Sequence, residues 1–182
     1  MARSTSHVTH AWMAWAVAAL LAGADMASAA EAARFEARRY RGAHGLVQYR
    51  LFVPRVDGPR RPILVLWLHG PDGRGTDNLR QIGGQEAPVL GGLTSESFQR
   101  ESPTLVVVPQ CPPGRTWTAA DGSPSEELQA ALDLVEMLLE TAAYKIEDRR
   151  IYVGGREMGE DGARALLAQR PYLVARMQPP AR

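Results

Sequence analysis

The chain has 182 residues, of which 45% are hydrophobic and 23% are charged, a composition that fits one ordinary globular domain and excludes collagen-like, disordered and coiled-coil proteins. Its 21 Lys and Arg residues nearly balance its 20 Asp and Glu residues. The formal net charge of +1 gives no electrostatic reason to expect a nucleic acid or an anionic membrane surface as a partner.

The first thirty residues have the layout of a secretory signal peptide. Arg3 gives a positive start, an apolar run extends from Ala11 to Ala22, and Ala27-Ser28-Ala29 places small residues where a signal peptidase cleaves. The apolar run is shorter than the roughly 20 residues that span a bilayer. We expect residues 1–30 to be removed and the protein to be secreted or periplasmic, without a membrane span. The alternative is an uncleaved anchor or an apolar N-terminal helix.

Two strands are predicted early in the mature chain, at Phe35 to Arg41 and Leu46 to Pro54. The second alternates in part, and the residues that share its apolar face are Val47, Tyr49, Leu51 and Val53. Three later strands are predicted from continuous apolar runs, which are typical of parallel strands buried on both faces. They are Ile63 to Leu68, Leu105 to Val108 and Ile151 to Val153.

The clearest helix lies between the last two of these runs. Ser123-Pro124-Ser125-Glu126 predicts a capping box with Pro at the first helical position. Apolar residues then recur at helical spacing, namely Leu128, Ala131, Leu132, Val135, Leu138, Leu139 and Ala142. Strand, helix and strand in this order form a right-handed parallel crossover. The pattern predicts an α/β fold with a doubly wound, mostly parallel sheet.

Three segments carry a family resemblance, namely Leu66 to Asn78, Pro109-Gln110-Cys111-Pro112 with Trp117, and Asp148 to Gly155. In order, they resemble the loop after the third strand, the end of the next strand and the strand entering the nucleophile elbow of secreted esterases of the α/β-hydrolase family. The group includes carboxylesterase/phospholipase-like proteins, feruloyl esterases, polyhydroxybutyrate depolymerases and prolyl-oligopeptidase-like proteins. The resemblance implies that residues 31–182 form a partial, N-terminal part of an α/β-hydrolase fold, truncated relative to the family.

The resemblance places the nucleophile elbow, Gly-x-Ser-x-Gly in the family, at Gly155-Arg156-Glu157-Met158-Gly159. The elbow glycines Gly155 and Gly159 are kept, and Glu157 stands at the serine position. A carboxylate has no hydroxyl for a base to deprotonate, which excludes serine acyl transfer. Glu157 is interpreted as a negative charge at a helix N-terminus. The alternative is a nucleophile like the elbow Asp of haloalkane dehalogenases and epoxide hydrolases, although one extra methylene would displace its oxygen.

The resemblance also places the oxyanion hole. Its donors would be the N–H of Met158 and an N–H from the loop beginning at His69 and Gly70. In the closest register the second donor is Pro71, which has no N–H. A register shifted by one residue would put Asp72 there. Loss of one such donor typically slows catalysis about 100- to 1000-fold.

The rest of the catalytic triad is missing. The family orders it as Ser, then Asp or Glu, then His. Only Glu160 and Asp161 are acids after Glu157, and both are predicted to lie at the start of the next helix. No histidine follows His69, whose expected role in the oxyanion loop is structural. The other three histidines are His7, His10 and His44. No general base remains at the required place.

Other residues give no further chemistry. The single cysteine, Cys111, is expected to be a small buried apolar residue rather than a nucleophile. The carboxylates near the elbow and His69 lack metal-ligand spacing, so no metal and no cofactor are expected. The pairs Arg38-Arg39 and Arg149-Arg150 are interpreted as solvated strand ends rather than a nucleic-acid patch.

The sequence therefore predicts an exported, catalytically inactive relative of carboxylic-ester hydrolases. One alternative is a ligand- or protein-binding module that reuses the degenerate pocket. Another is a fragment of an active serine esterase or peptidase. A small-molecule ester is expected as the substrate only in that case. A third is a hydrolase that receives Asp and His from another chain. Tyr172 to Ala175 resembles the start of one further strand, and Pro179 and Pro180 would end its pairing. We therefore expect the sheet to end in an exposed edge strand, which makes the chain marginally stable. Such an edge favours self-association or pairing with a strand of a partner.

Overall fold

The computed structural model describes residues 33–147 and 151–170. The predicted signal peptide at residues 1–30 and the predicted strand at Tyr172 to Ala175 lie outside the described residues, as do Asp148 to Arg150. In the described ranges no helix is long and apolar enough to cross a membrane.

The described residues form a five-stranded mixed sheet with the order β1-β2-β4-β3-β5. The strands are β1 (Glu36–Gly42), β2 (Gly45–Phe52), β3 (Ile63–Leu68), β4 (Thr104–Pro109) and β5 (Ile151–Gly155). β3 is parallel to both β4 and β5, whereas β2 is antiparallel to β1 and to β4. The predicted α/β fold is confirmed. Its parallel strands are β3, β4 and β5, which are the three strands predicted from continuous apolar runs.

Helices cover both faces of this sheet. They are α1 (Ala87–Thr94), α2 (Glu96–Glu101), α3 (Glu126–Glu140) and α4 (Met158–Gln169). Leu64, Leu66 and Leu68 of β3 belong to the core that includes α3 and α4. Val65 and Trp67 belong to the core on the opposite face, with α1. Because both faces of β3 are buried, its sequence is a continuous apolar run rather than an alternation.

Helix α3 begins two residues after the predicted start of its capping box. Ser125 is its N-cap, and the Ser125 Oγ accepts a hydrogen bond from the Leu128 N–H at 3.3 Å. The predicted box at Ser123 is wrong, because Ser123 bonds Asp121 through both its N–H and its hydroxyl. Pro124 lies before the N-cap, bridged to Thr118, and is not the first helical residue. The predicted apolar stripe of α3 is buried from Leu128 to Leu138.

Strand β2 also ends slightly earlier than predicted. Val47, Tyr49 and Leu51 are buried on one face as predicted. Val53 lies beyond the strand and is 37% exposed, because the pairing of β2 with β4 stops at Phe52.

Candidate functional site

The loop after β3 and the turn after β5 meet beside the carboxyl ends of these two strands. β3 and β5 are parallel neighbours, and Leu68 at the end of β3 pairs with Gly155 at the end of β5. The carboxyl ends of parallel strands are where α/β proteins build their sites. The structure therefore brings His69, Gly70 and Pro71 beside the segment from Gly155 to Gly159.

The turn from β5 into α4 has the geometry of a nucleophile elbow. Glu157 occupies its apex with φ 52° and ψ −115°, a left-handed conformation that L-residues adopt at a cost of about 1–3 kcal/mol. A Cβ on Gly155 would lie 2.5 Å from the Leu68 carbonyl oxygen, and one on Gly159 would overlap that oxygen. Both flanking positions therefore require glycine because β3 and α4 approach at backbone contact.

A buried carboxylate, Glu86, joins three parts of this site. Glu86 is 2% exposed. Its Oε2 accepts a hydrogen bond from the Trp67 indole N–H at 2.7 Å. Its Oε1 accepts from the Gly70 N–H at 2.9 Å and from Arg156 Nε at 3.2 Å. Glu86 thus ties β3, the loop after β3 and the elbow to one another.

Arg156 is the cation of the site and lies among three carboxylates. Besides Glu86, its guanidinium pairs with Asp72, at 3.7 Å between Nη2 and Oδ2, and with Glu157. The Glu157 side chain is 54% exposed and makes no capping bond to α4. Glu157 is the N-cap residue of α4, at the helix N-terminus where the sequence interpretation placed its charge, and its side chain pairs with the neighbouring Arg156.

His69 has both ring nitrogens engaged. The Cys111 N–H donates to His69 Nε2 at 2.9 Å, which leaves the ring proton on Nδ1, 2.6 Å from the Gly70 carbonyl oxygen. Burial lowers the pKa of His69, so the imidazole is neutral. Its ring packs edge-on against Trp117, whose indole N–H donates to the His69 carbonyl oxygen at 3.0 Å. A histidine bound in this way fixes the loop and does not exchange protons with a substrate.

The loop after β3 offers few free donors. The Gly70 N–H is taken by Glu86, Pro71 has no N–H, and the Gly73 N–H donates to the Gly70 carbonyl oxygen within a short 3-10 turn, Pro71–Gly73. Asp72, the residue of the alternative register, turns its side chain to solvent. On the other wall, the hydrogen bonds of α4 begin with the Gly159 N–H, which donates to the Arg156 carbonyl oxygen.

The loop is fixed further along by two buried polar side chains that the sequence did not single out. Gln110 donates to the Gly73 carbonyl oxygen and to Asp77 Oδ1, and accepts from the Asn78 N–H. Asn78, at φ 52°, donates to the carbonyl oxygens of Arg38 and Tyr49. The segment from Gly73 to Asn78 is thus anchored to β1, β2 and β4.

Cys111 is fully buried, and burial raises the pKa of its thiol to about 12, with the nearby Glu127 charge adding to the effect. A thiol with so high a pKa is no nucleophile at neutral pH. Within the described residues no group of His, Cys, Asp and Glu is arranged to hold a metal ion.

Comparison with solved structures finds the same fold in esterases and in a peptidase. No protein-family model matches the chain, and no curated protein sequence matches it. A thermostable esterase of known structure is 32% identical with a TM-score of 0.71, and the match covers 80% of this chain and 40% of that one. The enterobactin esterase from Shigella flexneri is 18% identical with a TM-score of 0.52, over 77% of this chain and 34% of that one. An acylaminoacyl peptidase is 16% identical with a TM-score of 0.51, over 79% and 22%.

Proposed function

We propose that this chain, which has the α/β-hydrolase fold and is related to esterases, is an exported relative of the carboxylic-ester hydrolases in which the described residues no longer support serine catalysis. The observation that carries the proposal is Glu157. The turn around it keeps the glycine-backed, positive-φ geometry that lifts a nucleophile towards substrate. The residue so presented has no hydroxyl and is paired with Arg156.

The missing general base supports the same conclusion. The base of a serine hydrolase must be within hydrogen-bond reach of the nucleophile and free to take its proton. His69 is buried, neutral and bonded through both nitrogens. His44 lies in the turn between β1 and β2, where it bonds Asp133 of α3. Neither imidazole stands beside Glu157.

The oxyanion side of the site is also weakened. In the loop after β3, the Gly70 N–H is used by Glu86, and Pro71 has no N–H. Stabilising a tetrahedral intermediate requires unoccupied donors that already point to the place where the negative charge develops. From a site that lacks nucleophile, base and one donor at once, we expect no turnover of an activated ester above the buffer rate.

The experiment is hydrolysis of p-nitrophenyl acetate and butyrate by the exported protein, with Glu157→Ser and Glu157→Ala as matched variants. We expect buffer-level rates from all three, because serine at this position has no base to activate it. A fluorophosphonate probe gives an independent readout of the new hydroxyl. A burst of nitrophenol or covalent labelling confined to Glu157→Ser would show that a general base does reach the elbow.

A second candidate is that the chain is part of a longer serine esterase or peptidase. It is supported by length, because the chain spans 40% of the thermostable esterase and 34% of the enterobactin esterase. Sequencing the DNA that follows the Arg182 codon distinguishes the two. A shifted frame encoding a further strand, an acid and a histidine would favour the second candidate.

Export is part of the first proposal and has its own test. We expect mass spectrometry of the exported protein to find an N-terminus near Ala30 or Glu31, since Ala27-Ser28-Ala29 precedes that point. Intact Met1 on protein confined to the cytosol would contradict export.

A further inference from the structure

A cleft of about 600 Å³ lies at the opposite ends of the strands from the elbow. Among the residues that line it, Arg60 precedes β3, Pro103 precedes β4, and Phe52 ends the antiparallel strand β2. The cleft is therefore at the amino ends of the parallel strands, whereas the elbow is at their carboxyl ends. Six-residue strands rising about 3.3 Å per residue separate the two by roughly 20 Å. Its volume is within the roughly 300–1,000 Å³ of small-molecule sites.

The charge of this cleft is positive. The arginines that supply this charge are Arg55, Arg60 and Arg100, against the two carboxylates of Asp57 and Glu96. Arg34 also lines the cleft, but its guanidinium donates to the Thr94 carbonyl oxygen and is left out of this balance. A concave surface with a surplus of one charge concentrates counter-ions of the other sign. Guanidinium groups in particular match the paired oxygens of carboxylates and phosphates.

The arginines are presented on a fixed frame. Arg60 Nη1 donates to the Arg100 carbonyl oxygen at 2.7 Å, which holds the loop before β3 against α2. The Arg34 guanidinium lies 5.5 Å from the centre of the Phe52 ring. Gln99 is locked by bonds to Thr104 and to the Leu93 carbonyl oxygen. The backbone at Arg100 and the segment from Gln99 to Thr104 are therefore held in place before a ligand enters.

The pairing within the cleft leaves room for an external anion. Arg100 and Glu96 are 3.6 Å apart, with side chains largely exposed. Exposed ion pairs of this kind contribute only about 0–1 kcal/mol, so an anion can take over the Arg100 guanidinium at little cost. The remaining wall is apolar, with Phe52, Val53, Val56 and Pro103. A neighbouring cavity of about 250 Å³ shares Val53, Val56 and Arg60 and adds Lys145.

We propose that this cleft binds small amphipathic anions, with a carboxylate or phosphate head against the arginines and a hydrocarbon or aromatic body along the apolar wall. The elbow plays no part in this binding, so it is independent of whether the chain hydrolyses esters.

The test is isothermal titration calorimetry of the purified full chain with dodecanoate below its critical micelle concentration. Dodecyl phosphate varies the anionic head, dodecyl maltoside replaces it with a neutral one, and dodecyltrimethylammonium reverses its charge. We expect the anionic probes to bind at one site, with an affinity that falls as salt rises, and the neutral and cationic probes to bind at least tenfold more weakly. Equal binding of dodecyl maltoside would overturn the proposal, since it would show that the cleft binds the hydrocarbon chain and does not select an anionic head.

Arg55→Glu locates the site, and Arg39→Glu is its control. Arg39 is an exposed residue of β1 that does not line the cleft, and the two changes alter the net charge equally. We expect Arg55→Glu to weaken dodecanoate binding at least tenfold and Arg39→Glu less than twofold. Arg55→Gln, a milder change, serves if Arg55→Glu has a shifted thermal midpoint. Equal losses in the Arg55 and Arg39 variants, or no loss in any Arg55 variant that stays folded, would overturn the assignment.

Discussion

Replacing Arg156 by Leu would leave the buried carboxylate of Glu86 without its cation. Removing one partner of a fully buried ion pair typically costs about 3–5 kcal/mol. Here the cost should be lower, because Arg156 is partly exposed and Glu86 keeps the Trp67 and Gly70 N–H donors. We expect a loss of about 2–3 kcal/mol at pH 7, which is the upper range of hydrogen bonds to charged groups. For a domain of this size that lowers the thermal midpoint by roughly 4–12 °C.

The assay is urea and thermal unfolding of four proteins, the unaltered chain, Arg156→Leu, Glu86→Gln and the double variant. Because the two side chains touch, the double-variant cycle should give a coupling of about 1 kcal/mol or more. The matched control is Arg164→Leu, which removes only the exposed pairs with Glu160 and Asp161 and should cost about 0–1 kcal/mol. A stabilising osmolyte, present for all variants, keeps the comparison possible if Arg156→Leu is largely unfolded in buffer. Arg156→Leu no more destabilised than Arg164→Leu would refute the reasoning.

Three further predictions concern the elbow glycine, the buried histidine and the sheet edge. Gly159→Ala should abolish soluble folded protein because its Cβ would overlap the Leu68 carbonyl oxygen. The control Gly92→Ala in α1, with open space around it, should be neutral or slightly stabilising. Equal thermal midpoints of the two variants would contradict this prediction. His69 has a lowered folded-state pKa, so its contribution to stability is complete above its unfolded pKa of about 6.5 and is lost as the pH falls below that value. The urea midpoint should therefore fall between pH 7.5 and pH 5.5, and a His69→Gln variant that shows the same fall would rule out this origin. β5 pairs only with β3 in the part of the chain that the structure describes, so we expect residues 31–182 to self-associate in size-exclusion chromatography; a monodisperse monomer that unfolds cooperatively at about 45–65 °C would count against it.

The strands were predictable because their signals are local. A buried parallel strand must be apolar at every position, and Ile63 to Leu68 meets that condition. The elbow glycines also stand at a fixed spacing around one turn, but it was the resemblance to esterases that assigned them to an elbow. These patterns need no knowledge of what lies across the fold.

Glu86 could not be found in the same way. It lies 70 residues from Arg156, in a segment without periodicity, and its importance appears only when β3 and the elbow are brought together. The capping box at Ser123 failed for a different reason. Ser123 and Ser125 both carry a hydroxyl before the helix, and a tertiary bond from the Ser125 hydroxyl to Thr116 and the bridge at Pro124 select the later start.

The contact of Gly155 and Gly159 with the Leu68 carbonyl oxygen has a consequence for how such sequences are detected. The glycines meet a demand of helix-on-strand packing, which is independent of the group displayed between them. A search pattern weighted on glycine spacing therefore recognises the strand–turn–helix architecture, and it does not report whether a catalytic nucleophile is present. For the protein engineer the same contact is useful, because the apex between the two glycines is a rigid, solvent-facing position at which side chains other than serine can be displayed.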